Sequence, residues 1–287
     1  MNPIHAGTAG ANSSGNILIL RKGRKTMSNI IAIALEKGGV GKTTTALNIG
    51  AGLAQLGQNV LLVDLDQQCH LSRWLEFQPD GKPAISELIY QEVSGVHSNQ
   101  YGDFIRRNDK ENVDYIPASK MLGGIYAILG NDGESNTVLS RIFRNDYFSK
   151  YDYILFDCPT AVDNLLVSNA LQASTKLLMP VQAELLAYES VPAMLKRYMA
   201  IKKAENITSY IQGILVTMFS GRTNMSNQVY QRLCESYHGL VFSQPIPMLQ
   251  EARNSTETRS SLISRKSSKI GQAYMAAVRE IIRRDSK

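Results

Sequence analysis

The apolar positions of this chain fall into short solid blocks separated by stretches with helical spacing. Ile30 to Leu35 is an almost wholly apolar run, and Asn59 to Leu65 and Tyr151 to Asp157 are blocks of the same kind. Runs this short and this apolar predict strands buried on both faces, as in parallel sheets. Between the first two, Thr44 to Leu56 places Ala46, Leu47, Ile49, Gly50, Leu53 and Ala54 at helical spacing. Near the end, Ile270, Ala273, Tyr274, Ala277, Val278 and Ile281 form one apolar stripe of a helix, with Arg279, Glu280, Arg283 and Arg284 outside it. The expected fold is α/β, a mostly parallel sheet with helices on both faces.

The segment joining the first strand to the first helix reads Glu36, Lys37, Gly38, Gly39, Val40, Gly41, Lys42, Thr43, Thr44. A strand, a glycine loop and a helix in that order aim backbone N–H groups and a helix N-terminus at one point, which suits a polyphosphate. The glycines let the backbone approach closely, Lys42 can reach the β and γ phosphates, and the Thr43 hydroxyl can bind Mg²⁺. A glycine-rich turn with lysines on a solvated face is the bland alternative; the flanking strand and helix, both in register, weigh against it. An ordinary phosphate loop has glycine where this chain has Glu36, so the segment matches the deviant Walker A form, with Lys37 as a second lysine.

On these residues the chain resembles the ParA/MinD family of deviant Walker ATPases, and within it the ParA (Soj-like) partition branch. The resemblance implies a P-loop NTPase fold, ATP and Mg²⁺ as ligands, and a homodimer in which Lys37 crosses to the nucleotide of the other subunit. Two further segments fit. The second strand ends in Asp64 and Asp66, at the carboxyl edge where open α/β sheets bind ligands. By resemblance Asp66 orients the attacking water and Asp64 helps to hold hydrated Mg²⁺. Asp157 ends the third strand; such an aspartate is commonly a cap or turn residue, but its place relative to the other motifs favours a Walker B role, holding the metal through water. The catalytic candidates are thus Lys37, Lys42 and Asp66, the nucleotide-binding residues Lys37 to Thr44, and the metal candidates Thr43, Asp64 and Asp157.

The resemblance covers residues 28 to 284 and is weakest between Leu75 and Asn112. Relatives follow the second strand with proline, glutamine, glycine and asparagine, whereas Gln67, Gln68, Cys69 and His70 stand here; only Gln68 and the later Ser72 keep step. After Asp157, Cys158 and Pro159 agree with the family and Thr160 replaces a frequent second proline. Lys176 to Val181, followed by Gln182, Ala183 and Glu184, resembles a further strand of the family, Gly213 to Met218 reads as another, and Ile246, Pro247, Glu251 and Ala252 match the segment near the nucleotide base.

Length and composition agree with one ATPase domain over residues 28–287: 287 residues that are 44% hydrophobic can bury a large core. No apolar run approaches a membrane span, and His5 to Gly15 does not resemble a signal peptide. Cys69, Cys158 and Cys234 are scattered without paired spacing, which favours a reducing cytoplasm. No metal other than Mg²⁺ is expected. Residues 1–27 read as a separate basic tail carrying Arg21, Lys22, Arg24 and Lys25, or as a leader translated from a misplaced start, with the native chain beginning at Met27. A region this short cannot hold the helix-turn-helix domain of larger ParA proteins.

Charge is uneven. Residues 28–188 hold 12 Lys/Arg against 18 Asp/Glu, and residues 189–287 hold 15 against 7. Each basic side chain by itself reads as a solvated surface charge; together they suggest non-specific contact with DNA, which needs phosphate contacts and no base readout. Arg222, in the family's R-T-N segment, leads the candidates, with Lys202, Lys203, Arg253 and Arg259 resting on charge alone, as do Lys196, Arg197, Arg265, Lys266 and Lys269.

The expected function is a slow Mg²⁺-dependent ATPase that dimerises around two ATP molecules, binds DNA in that state and partitions a plasmid, chromosome or mobile element with a ParB-like activator, in a nucleoid-associated cytoplasmic location. A MinD-like positioning ATPase would use the final helix on a membrane, but a stripe of alanines and one tyrosine with only two isoleucines and a valine is too small for strong insertion and favours packing onto the sheet. A nitrogenase-type iron protein would need bridging cysteines, for which Cys69 and Cys158 lack neighbours. Relatives that position protein cargo on the nucleoid remain open.

Overall fold

The computed structural model describes residues 28–96, 98–130, 133–160, 164–249, 259–265 and 267–286. The tail and start-site expectations for residues 1–27 lie outside them. In chain order the elements are β1 (Asn29–Ile33), α1 (Lys42–Gln55), β2 (Val60–Asp64), α2 (His70–Trp74), α3 (Ile85–Ser94), β3 (Arg106–Asn108), β4 (Val113–Ile116), α4 (Ile125–Gly130), α5 (Val138–Phe143), β5 (Tyr153–Asp157), α6 (Leu165–Ala173), β6 (Lys176–Gln182), α7 (Leu185–Lys202), β7 (Ile211–Thr217), α8 (Asn224–Ser236) and α9 (Lys269–Asp285).

The predicted strands become β1, β2, β5, β6 and β7, of which β7 lies at an edge of the sheet. The seven strands lie in the order β3-β4-β2-β5-β1-β6-β7, and all pairings are parallel except β3 with β4. Alternation within each run divides the core into two layers. Ile30, Ala32, Leu61 and Val63 face α3, α5, α6 and α7; Ile31, Ile33, Val60 and Leu62 face α1 and α9. Both faces are covered, which is why no polar alternation marks these strands.

The antiparallel edge was not legible in the sequence. β3 is a three-residue strand of arginines and asparagine that turns into β4 through Asn112, at φ 56°, a left-handed conformation that asparagine tolerates. Arg107 reaches Asp114 across the pair at 3.1 Å. A short charged edge carries little apolar signal and protects the sheet from further pairing.

The stripe of the final helix is internal. Ile270, Ala273, Tyr274, Ala277, Val278 and Ile281 are all buried in the layer that contains α1. Contact with α1 is close: a Cβ on Gly52 would lie 2.7 Å from Val278 Cγ2. The stripe is therefore spent on the core and is unavailable for insertion into a lipid surface. Among the described residues no helix is long and apolar enough to cross a membrane.

Candidate functional site

The carboxyl edges of β1, β2 and β5 converge on one cavity of about 700 Å³. Its floor is the loop from Gly39 to Thr44 and its walls are Asp66 to Gln68 and the Pro159–Thr160 turn. Gly39 and Gly41 take φ values of 75° and 88°, accessible without strain only to glycine. Gly41 starts α1 with no side-chain cap, so the first N–H groups of that helix are left for a ligand, and the dipole favours an anion there.

Lys42 is 7% exposed. Its Nζ donates to the carbonyls of Lys37 at 3.2 Å and Leu35 at 3.4 Å and to the Thr160 hydroxyl. Burial lowers its pKa, opposed by the negative charges of Asp157 and Asp66. Thr160, which departs from the family pattern, thus acquires a partner in the phosphate loop that the sequence did not suggest. Lys37 is half-buried.

The three carboxylates have different surroundings. Asp64 is buried: Oδ1 accepts the Asp66 N–H at 3.1 Å, and Oδ2 accepts both the N–H and the hydroxyl of Ser72, at 2.8 and 2.7 Å. Desolvation outweighs these bonds and pushes its pKa up to about 6. Ser72 in turn accepts the Ala118 N–H, so the serine that keeps step with relatives is the post that orients Asp64. Asp66 is less enclosed and accepts the Gln68 N–H at 2.9 Å; with the Asp66 carbonyl bonded to the Cys69 N–H and Cys69 at φ 53°, the altered residues Gln67 to His70 make a tight turn into α2.

Asp157 is the site's unsatisfied group. Both carboxylate oxygens are buried, and neither closes a hydrogen bond of ordinary geometry. Desolvation and the Asp64 charge push its pKa well up, while the nearby Thr43 hydroxyl and Lys42 favour the ionised form. An uncompensated buried carboxylate is costly, and here it faces a hydroxyl on the first turn of α1. Two hard oxygen donors, Thr43 lining the cavity and Asp157 buried beside it, fit a hydrated Mg²⁺, which takes few protein ligands. Asp64, with both oxygens already engaged, fits an outer supporting role.

A second cavity of about 500 Å³ adjoins the first through Gly41, Thr44 and Met218, which line both. Ile246, Pro247 and Tyr274 give it an apolar wall, the position expected for the segment near a nucleotide base. Glu251 and Ala252 lie outside the described residues.

Among the described residues the basic candidates have different settings. Arg222 is exposed just beyond the carboxyl end of β7, on the nucleotide side. Lys202 and Lys203 end α7, which runs back to the opposite edge of the sheet. There Lys202 turns inward and donates to the carbonyls of Gln172 and Ser174 at 2.9 and 2.5 Å, and burial lowers its pKa to about 8. Its ammonium is held by the C-terminal end of α6 instead of projecting as the surface cation that its charge alone suggested. Lys203 beside it is exposed. Arg259 is exposed, and its carbonyl accepts a bond from Lys110. Arg197 forms an ion pair with Glu36. Lys196 and Lys269 are exposed, whereas Arg253 and Lys266 lie outside the described residues.

Comparison with known proteins agrees with this geometry. Residues 28–211 match the AAA domain family. The chain is 35% identical to the sporulation initiation inhibitor protein Soj of Bacillus subtilis over 77% of its own length and 85% of that protein. It is 30% identical to the chromosome partitioning protein ParA of Myxococcus xanthus over 99% and 97% of the two chains. Among solved structures, cobyrinic acid a,c-diamide synthase from Mycobacterium smegmatis with bound ADP and magnesium superposes with a TM-score of 0.74 at 29% identity, covering 91% of this chain and 96% of that one. A loop with two lysines, an uncapped first helix and carboxylates at the ends of β2 and β5 are thus found in a chain that matches partition proteins over nearly its whole length: it belongs to the AAA domain family and, within it, to the ParA/Soj-type Walker ATPases.

Proposed function

We propose that the protein hydrolyses ATP with Mg²⁺ as a dimer built around two nucleotides, binds DNA non-specifically in that state, and releases it after a ParB-like protein stimulates hydrolysis. The observation that carries the ATPase reading is a cavity lined by the phosphate loop, Lys42 and Thr43 included, with the buried, unsatisfied Asp157 beside the Thr43 hydroxyl. Phosphoryl transfer asks the protein chiefly for positioning and for charge to offset the developing negative oxygens. Lys42 supplies charge from inside the loop, and the uncapped N–H groups of α1 add fixed dipoles. Thr43 and Asp157 would hold Mg²⁺, which when bound offsets charge on the β and γ phosphates. Asp66, less enclosed than Asp64, is the carboxylate free to place the water. Lys37 completes the site of the second subunit, and Arg222 meets the DNA backbone. The adjoining apolar cavity would take the base.

ATP consumption by the wild type and by Lys37→Gln, with nucleotide binding measured in parallel, tests the dimer reading. Stimulated hydrolysis should disappear while binding by the dilute monomer persists, and loss of binding itself would show that Lys37 acts within its own subunit. For the DNA reading, affinity for random-sequence duplex should be high with ATP and low with ADP; equal affinity for both would refute it. The neighbouring open reading frame bears on the cargo: a centromere-binding protein there supports partition of DNA, and an adaptor supports positioning of a protein assembly.

A further inference from the structure

Glu36 occupies the place where an ordinary phosphate loop has glycine, and the fold gives its side chain a partner. Arg197, on α7, donates Nη1–H to Glu36 Oε1 at 2.9 Å. From its other arm it donates to the Asn164 carbonyl at 3.1 Å and the Ser168 hydroxyl at 2.9 Å. The side chains of Arg197 and Glu36 are only 16% and 15% exposed, so solvent screens the pair weakly.

Asn164 is the N-cap of α6, its side-chain oxygen accepting from Leu166 and Val167. It follows the turn that carries Pro159 and Thr160 out of β5. One guanidinium therefore joins the first residue of the phosphate loop to the helix that ends the loop after Asp157. Lys37 sits between two such ties: Arg197 holds the carboxylate of the residue before it, and Lys42 Nζ bonds its own carbonyl. The backbone that carries Lys37 is pinned while its side chain stays half-exposed.

We propose that Arg197 is a positioning residue for Lys37: through Glu36 and the start of α6 it fixes the angle at which the second lysine leaves the loop toward the other subunit's nucleotide. This inference rests on the dimer reading above. A planar guanidinium can serve three acceptors at set angles, whereas a lysine at 197 keeps the charge and loses the fork. Reach across an interface is sensitive to small displacements, and a shift of about 1 Å can cost about a hundredfold in rate.

The test is a double-mutant cycle between positions 197 and 37, read as kcat and KM for ATP on the full chain at protein concentrations that allow dimerisation. Arg197→Met should lower kcat about tenfold or more, with KM and monomer binding of a fluorescent ATP analogue within about twofold, and Arg197→Lys should fall between it and the wild type. In a Lys37→Gln background Arg197→Met should cost nothing further, because it acts through a side chain already removed. Additive losses, or a loss in binding equal to the loss in kcat, would overturn the proposal in favour of general support of the loop. If Arg197→Met melts the protein, Glu36→Gln cuts the same ion pair from the other end and carries the cycle. Unchanged kcat in Lys37→Gln overturns the dimer reading itself; an impaired Lys37→Gln beside an unimpaired Arg197→Met overturns this inference alone.

Discussion

Lys42 and Lys202 both draw their ammonium groups inside the protein onto backbone carbonyls, and burial lowers the pKa of both. Their carbonyls come from different distances along the chain. Lys42 bonds residues five and seven positions earlier in its own loop, whereas Lys202 bonds residues 28 and 30 positions away at the end of a neighbouring helix. The first lysine faces a cavity and carboxylates; the second stops a helix against the sheet. Cation density in a sequence is therefore a weak guide to a binding surface, while a cation inside a glycine loop between a strand and a helix is a strong one. What separates the two is whether the geometry is set by consecutive residues or by packing.

The largest expected effect lies at the loop. Lys42→Met should reduce kcat for ATP by about 10²- to 10³-fold, the range for removing one donor from a developing oxyanion, without lowering thermal stability, since a buried cation is removed. A loss below tenfold would place the lysine outside the chemistry and erase the contrast with Lys202.

Next comes DNA affinity. Arg222→Ala should weaken binding of random-sequence duplex in the ATP state and reduce the salt slope by about one unit. Lys202→Met should leave that slope unchanged, because its ammonium is already held by carbonyls. Equal losses in the two variants would show that Lys202 turns outward on DNA and would break the comparison.

The smallest effect is a pH dependence of stability. The folded protein loses the Lys202 proton near pH 8, the unfolded chain near its ordinary 10.5. Between those values the unfolded state binds more protons, so the contribution of Lys202 to stability rises with pH across that window. Below pH 8 both states are protonated and the desolvation cost is borne in full. Denaturant melts at pH 7.5 and 10 should differ in this direction for the wild type, and by less for Lys202→Met; an unchanged difference would assign the slope to other groups.

Much of the site was legible because its parts are local. Loop, strand and helix follow one another without interruption, and Asp64, Asp66 and Asp157 each end an apolar run. Less legible were the partners that decide how those residues behave. Ser72 orients Asp64 from the far side of the altered turn, Thr160 reaches Lys42 from the loop after β5, and Arg197 closes on Glu36 from α7. Each is a polar residue of ordinary type at a position with no local cue. The antiparallel edge of β3 and β4 escaped for a related reason: three polar residues produce no periodic apolar signal.

The sequence by itself determined five of the strands, the first and last helices, the phosphate loop and the residues at its mouth, because these follow from apolar runs and from glycine backbone freedom among neighbours in the chain. Only the tertiary structure decided which cations are available to a partner and which are consumed by carbonyls. It also decided that Glu36 is tied to α7. Those outcomes depend on groups far apart in sequence arriving at one place, where desolvation and hydrogen bonding set the charge and direction of each side chain.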